Sequence, residues 1–155
     1  MKNEKQTKIN QVSASEQSQI SRTLLAWLNR YTDKPSRIEF EALPKDKAGM
    51  SLTTVEAAYK TEEYVDGSYE AQYQFAVMYR TQPEYSGDRL EAEEILNALG
   101  EWVEEQPELP NLGGKKTVKS IEITSTAGLV AKYEDKSEDY RISMVMIYEV
   151  ESMGL

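Results

Sequence analysis

The sequence contains no cysteine and no histidine among its 155 residues. The missing thiol excludes disulfides, thiolate zinc sites and cysteine nucleophiles. The missing imidazole excludes every mechanism that uses histidine as a base or as a metal ligand. Catalysis would have to rest on carboxylates, Lys, Tyr, Ser or Thr, and the absence of cysteine is compatible with a reducing cytoplasm.

Long apolar runs are also missing. No stretch approaches the ~20 apolar residues of a membrane span, so we expect no membrane contact. The first residues, MKNEKQTKINQVSASEQ, contain no apolar segment of the kind found in secretory signals. We expect residues 1–13 to form a mobile polar tail and residues 14–152 to form a single domain, since the length is typical of one domain.

Basic residues are few relative to acidic ones: 18 Lys and Arg stand against 27 Asp and Glu, a net charge of −9. Proteins that read nucleic-acid sequence normally carry a basic face, so this class is disfavoured. The charge leaves open an acidic inhibitor or DNA-mimic module, for which we expect acids clustered on one flat face.

Two segments have the apolar period of helices. The first spans residues 14–32, with Ser13 or Ser15 as cap and Pro35 beyond its end. The second begins at Ser86 or Asp88 and stops before Pro107. Their apolar stripes are Ile20, Leu24, Trp27, Leu28 and Tyr31 in the first, and Ala92, Ile95, Leu96, Leu99, Trp102 and Val103 in the second.

Alternating patterns predict strands in SRIEFEAL and on both sides of Asp66-Gly67. A two-residue turn there would pair Tyr59 with Gln74. A three-residue loop with a glycine bulge would pair Tyr59 with Tyr73 and Val55 with Val77, which keeps apolar residues on one face. We expect this second register, in a hairpin of about 12 residues per arm.

The row Tyr69, Ala71, Tyr73, Phe75, Val77 and Tyr79 has two interpretations. It is either an open platform on which bases, sugars or peptides stack, or the inside of the domain. A platform for nucleic acid needs neighbouring cations, and its strand offers only Arg80. Two amphipathic helices also need a surface to cover, so we expect the row to be core.

The C-terminal part reads as a strand, KTVKSIEIT, followed by a hairpin, LVAKYE and YRISMVMIYEVE, joined by DKSED. Val145 and Ile147 make the last strand apolar on both faces at its middle, which favours a central strand or one covered by a neighbouring subunit. The predicted fold class is α+β: one mostly antiparallel β-sheet with a long β-hairpin, packed against two α-helices.

No motif with specific chemistry emerges. The glutamates of the second helix are paired at i, i+3, but they also form the solvent side of an amphipathic helix. DKSED lacks the spacing of a calcium loop, and NLGGKKT is followed by a strand where a phosphate loop needs a helix. We therefore expect no enzyme activity, no cofactor and no metal.

The order of segments resembles a known family. LLAWLNRYT, RIEFEALP, VEAAYKTEEYVDGSYEAQYQFAVMYRT and the stretch from EILNALGEWVEEQPELPNLGG to SMVMIYEVE are similar in layout to tail terminator proteins of long-tailed bacteriophages, often labelled minor capsid proteins in Gram-positive hosts. The resemblance covers residues 15–151 and lies in element order, length and style of segments.

The resemblance implies a structural protein of the virion, made in the host cytoplasm and located at the head–tail junction. Six copies would form a ring on the tail tube, contact the tail-tube protein and the head-completion (stopper) protein, and let genome DNA pass without specific binding. Another head–tail joining or neck protein is the alternative. Closing rings use head-to-tail interfaces, and acidic walls would not hold DNA.

Interface residues are expected in three places. The charged loop at residues 44–50 is expected to be exposed and to present Lys45, Lys47 and Met50. The remaining candidates are the hairpin tip, Asp66, Gly67 and Ser68, and the outward residues Val145 and Ile147.

Overall fold

The computed structural model describes residues 10–45 and 47–152. Within these residues, two helices and six strands follow one another. They are α1 (Ala14–Leu28), β1 (Ile38–Phe40), β2 (Gly49–Thr54), β3 (Tyr59–Glu63), β4 (Tyr69–Thr81), α2 (Ser86–Glu105), β5 (Lys116–Lys132) and β6 (Glu138–Val150). The sheet has the order β1-β2-β4-β6-β5, with β3 beside β4. Only the β1–β2 pair is parallel, so the predicted α+β class is confirmed.

The centre of the sheet is the antiparallel pair of β4 and β6. The pairing runs without a bulge from Tyr69 opposite Val150 to Thr81 opposite Glu138. On the inner face, Tyr73, Phe75 and Val77 are fully buried. Tyr73 makes 2.8 Å hydrogen bonds to the hydroxyls of Ser21 on α1 and Thr54 on β2. The aromatic row is therefore core, as expected.

The first hairpin follows the expected register only near its tip. Glu63 pairs with Tyr69 and Glu62 with Glu70, but a bulge at the next residue places Tyr59 opposite Gln72, so the expected Tyr59–Tyr73 pair is wrong. The expected long first arm is divided into β2 and β3. The chain leaves the sheet between them because Gln17 and Val12 bond the backbone of Ala58 instead.

Two consequences of this interruption correct the sequence interpretation. Val55 is 47% exposed rather than paired with Val77, whose partner is Leu52. Gln11 bridges to Tyr59 and Val12 enters the core, so these two residues belong to the domain rather than to the expected tail. The rest of that tail, residues 1–9, lies outside the described part of the chain.

The first helix ends four residues before the expected position because Asn29 connects it to β1. The Asn29 amide donates to the carbonyls of Leu25 (3.2 Å) and Ile38 (3.0 Å), and its oxygen accepts from the Ile38 amide (2.9 Å). Ser13 is the cap, and its hydroxyl accepts from the Glu16 amide. Phe40, expected on the buried face with Ile38, is 41% exposed.

The second helix starts at Ser86. Asp88 does not precede the helix but lies in its first turn, where its carboxylate accepts from the amides of Glu84 and Tyr85. β5 is one strand of 17 residues, not two separate strands. Its register shifts four times against β6, and the first shift, after Val118, lets Val118 and Ile121 both point inward.

The two hairpin tips have the same local structure. In the first, residues 64–68 read Tyr-Val-Asp-Gly-Ser, and in the second, residues 133–137 read Tyr-Glu-Asp-Lys-Ser. The Asp carboxylate of each tip accepts from the backbone amide and hydroxyl of its Ser. The fourth position is left-handed in both, with φ of 91° at Gly67 and 72° at Lys136. Glycine adopts this region freely, whereas lysine is strained there.

Replacing Lys136 with glycine should therefore stabilise the protein. We expect Lys136→Gly to raise the free energy of unfolding by about 0.5–1 kcal/mol, since the relief of left-handed strain exceeds the added entropy of glycine in the unfolded chain. Urea unfolding measures it. The reciprocal change, Gly67→Lys, should lower stability by about 1 kcal/mol. A stabilising Gly67→Lys would contradict the shared turn geometry.

Candidate interaction surfaces

Three carboxylates in the described structure each accept hydrogen bonds from two other side chains. Glu16 on α1 accepts from the hydroxyls of Tyr69 (2.6 Å) and Tyr148 (2.8 Å), one bond to each oxygen. Burial, and then the Glu16 carboxylate, raise the pKa of Tyr148. These bonds fix the start of α1 over β4 and β6. Both carboxylate oxygens are used within the fold, which fits a structural role.

Asp139 on the outer face of the sheet forms a two-pronged ion pair with Arg80. The two nitrogen–oxygen distances are 2.7 and 2.9 Å, and the Tyr133 hydroxyl donates to the same carboxylate at 2.8 Å. Arg80 also donates to the carbonyl of Pro44. This cluster connects β4, β6, the second hairpin tip and the loop after β1, and its charges neutralise each other.

Glu138, the preceding residue, is buried on the opposite face of the sheet. Two nitrogens of Arg89 on α2 donate hydrogen bonds to the Glu138 carboxylate, and the Tyr140 hydroxyl donates another at 2.8 Å. The hydrogen bonds from Arg89 hold the pKa of Glu138 below its usual value. Burial and the carboxylate raise the pKa of Tyr140 to about 12. The start of α2 is thereby attached to the start of β6.

The remaining sequence motifs do not converge on a ligand. Among residues 10–45 and 47–152, no group of three or more acidic side chains is placed to hold a metal ion. In the NLGGKKT segment, Lys115 donates to the carbonyl of Ser152 and Lys116 to the side chain of Gln19. The segment leads into β5, so its amides do not form a helix N-terminus.

Two open depressions mark the surface. One, of about 650 Å³, lies between α1 and the β1–β2 side of the sheet, and Leu25 and exposed Phe40 contribute to its wall. The other, a shallow trough of about 720 Å³, lies on the outer face of the sheet beside Ala76, Met78 and Arg141. Polar side chains, among them Gln17, Arg22 and Glu41, also line the first depression.

The three groups of expected interface residues are not brought together. Lys45 and Lys47 are exposed, beside the Arg80 end of β4. Asp66, Gly67 and Ser68 lie beyond the other end of β4, roughly 40 Å away for a strand of this length. Asp66 and Gly67 are exposed, and Ser68 is half-buried.

Met50 corrects the expectation for the loop. It lies inside β2, pairs with Tyr79 and is 1% exposed. β2 begins at Gly49, so Met50 is already part of the strand, and its side chain faces the apolar interior. Met50 is thus part of the core and is not available as a contact residue.

Val145 and Ile147 lie on the outer face of β6, which the helices do not cover. Ile147 is half-buried, while Val145 is only 8% exposed in the isolated chain. Their β4 neighbours are Gln74 and Gln72. These neighbours were not predicted from the sequence, although the uncharged side chains at the even positions of β4 could have indicated them. The outer face of β2, β4 and β6 is uncharged over Ser51, Thr53, Gln72, Gln74, Ala76, Met78, Ser143, Val145 and Ile147.

Loss of the Glu138 charge should make the fold less stable at neutral pH. We expect Glu138→Gln to cost about 2 kcal/mol at pH 7, because hydrogen bonds to a charged group are lost. Since the folded-state pKa is lowered, the contribution is complete above the unfolded pKa of about 4.3 and disappears as pH falls through the folded value. The difference between variant and parent should therefore shrink in acid.

Urea titrations between pH 3 and pH 7 measure this difference. Glu91→Gln, at an exposed position of α2, is the control and should leave stability unchanged at each pH. A constant Glu138→Gln effect across the range would show that the charge of Glu138 is unimportant.

None of the described helices is long and apolar enough to cross a membrane. Comparison with known proteins adds no relationship: no protein-family model matches the chain, and no curated protein shows significant sequence similarity to it.

Proposed function

We propose that this protein is a structural component of a phage virion, a tail terminator that assembles as a ring on the end of the tail tube. The observation that carries the proposal is the uncharged outer face of β2, β4 and β6, on the side of the sheet away from the described helices. Charged residues make up 29% of the chain, yet this face has none between Glu70 and Glu149 at one end and Arg80 and Arg141 at the other. Depletion of charge is the compositional mark of interface centres.

The arrangement of polar groups supports assembly rather than catalysis. The carboxylates described above, those of Glu16, Asp139 and Glu138, each accept hydrogen bonds from side chains that position helices and loops. A catalytic group must instead direct a lone pair or proton toward a substrate. The resemblance in segment order to tail terminators then selects the class of assembly: a ring contacting the tail-tube protein and a head-completion protein.

The acidic character of the chain fits this role. A ring through which a genome passes must not hold phosphates, and a net charge of −9 disfavours nucleic-acid binding. A DNA-mimic module would concentrate acids on one flat face, whereas the outer face of β2, β4 and β6 is uncharged and exposed glutamates are spread over β1, β3, β5 and α2. The distribution therefore favours the structural role over the inhibitor.

The direct test is negative-stain microscopy of the purified protein mixed with tail tubes. We expect a ring at one end of each tube and an arrest of tube growth. Tubes that remain uncapped and continue to grow at saturating protein concentration would refute the proposed function.

A single charge placed on the outer sheet face should impair capping. We expect Ile147→Lys to weaken assembly on tubes about tenfold or more, since an unpaired charge is costly in a buried interface. Ile147 is partly exposed, so the domain should stay folded, as circular dichroism can verify. Ala98→Lys, on the exposed side of α2, adds the same charge as a control. Equal capping by both variants would remove this face from the interface.

A further inference from the structure

At one end of the sheet, two strand edges lie open on opposite sides. Four strands run there in the order β3-β4-β6-β5. Within the described residues, β3 pairs with β4 alone along residues 60–63, since Gln11 reaches only Tyr59. β5 pairs with β6 alone. Unpaired edges are templates for strand addition unless something covers them.

The middle of the β5 edge is already covered. The Glu104 carboxylate of α2 accepts from the Ile123 amide at 3.2 Å, and the Asn97 side chain accepts from the Ala127 amide at 2.9 Å. These bonds leave the first arm of β5, residues 116–122, without a cover from α2. The free part of β5 is therefore at the same end of the sheet as β3.

The two free edges are level with each other. Reading across the sheet, Glu63 aligns with Tyr69, Val150 and Lys116. Three rows further along, Tyr59 aligns with Gln72, Ile147 and Ser120. A copy rotated about an axis parallel to the strands would place its β3 beside the β5 of its neighbour. These two strands run in opposite directions, so the added pair would be antiparallel.

The charges of the edges are complementary. The first arm of β5 carries two lysines and one glutamate, and Lys115 precedes it, although the whole chain is at −9. β3 carries two glutamates and one lysine, and Glu56 precedes it. Two copies of the β5 arm, or two copies of β3, therefore have net charges of the same sign. The contact of β3 with the β5 arm joins edges whose net charges have opposite signs.

We propose that the β3 edge of one copy adds, antiparallel, to the first arm of β5 in the next copy, so that the sheets join head to tail. Such a heterologous contact closes a ring when its rotation divides the circle evenly. This inference rests on the proposed ring-forming function and specifies which surfaces of the chain meet. In this register Glu63 of one copy lies level with Lys116 of the next, and Glu62 lies level with Thr117.

Two charge-reversed chains test the contact. The first carries Glu62→Lys and Glu63→Lys, and the second carries Lys116→Glu and Lys119→Glu. Each alone should assemble at least about tenfold more weakly, since like charges then face each other. An equimolar mixture should recover, because alternating copies restore opposite charges at every contact. The readouts are sedimentation velocity at low salt and the number of rings on tail tubes.

Controls separate the contact from general charge effects. Glu91→Lys with Glu94→Lys changes the net charge of the chain as much as the β3 variant does, at exposed positions of α2, and should assemble normally. The Lys119–Glu149 pair lost in the β5 variant is exposed, so its loss should leave thermal unfolding nearly unchanged.

The outcomes distinguish this inference from the function on which it rests. If both reversed chains assemble and cap tubes like the parent, the edge contact is wrong and the terminator function stands. If the edges mediate assembly but tubes stay uncapped, the contact stands and the function is wrong. Loss of assembly in the β5 variant alone would indicate a two-fold β5 contact and overturn the inference. A parent chain that is monomeric both alone and with tubes would overturn it as well.

Discussion

The rest of the structure depends on the unbroken ladder between β4 and β6. Its inner face presents Tyr73, Phe75 and Ile142, each fully buried, and such side chains contribute roughly 1.5–3 kcal/mol apiece relative to exposure. Three further strands pair directly with one of these two, β2 and β3 with β4 and β5 with β6, and β1 joins the sheet through β2. Hydroxyls of the same ladder also position the helices, since Tyr148 bonds Glu16 of α1 and Tyr140 shares Glu138 with Arg89 of α2.

Local pattern was sufficient where a residue's environment is decided by its own strand or helix. The alternation around Tyr73 predicts the buried row, and the apolar stripes predict both helices. The local pattern gave wrong predictions where a residue far away in the sequence determines the structure. The end of α1 depends on Asn29 reaching Ile38, and the break between β2 and β3 depends on Gln17 bonding Ala58. Such contacts have no signature within a short window of sequence.

The candidate surfaces divide in the same way. The absence of cysteine and histidine already removed most catalytic chemistry, because composition requires no fold to interpret. Met50 was misplaced because the loop expected over residues 44–50 ends two residues earlier, where β2 begins at Gly49. Val145 and Ile147 were recognised as apolar on the outer face, but their uncharged neighbours come from two other strands. A surface built from several strands becomes visible only when the pairing register is known.

In the proposed contact, the sheet edges would favour association of one copy with the next. An isolated domain protects its edges with charges, bulges or covering side chains. α2 supplies Asn97 and Glu104 to the middle of β5 alone. Charged side chains at the other end discourage indiscriminate pairing, yet their signs differ between β3 and β5. Edges of one sign would repel all copies, whereas edges of opposite sign repel their own kind and attract each other. The same lysines and glutamates that keep the lone subunit from aggregating thus favour one directed mode of association.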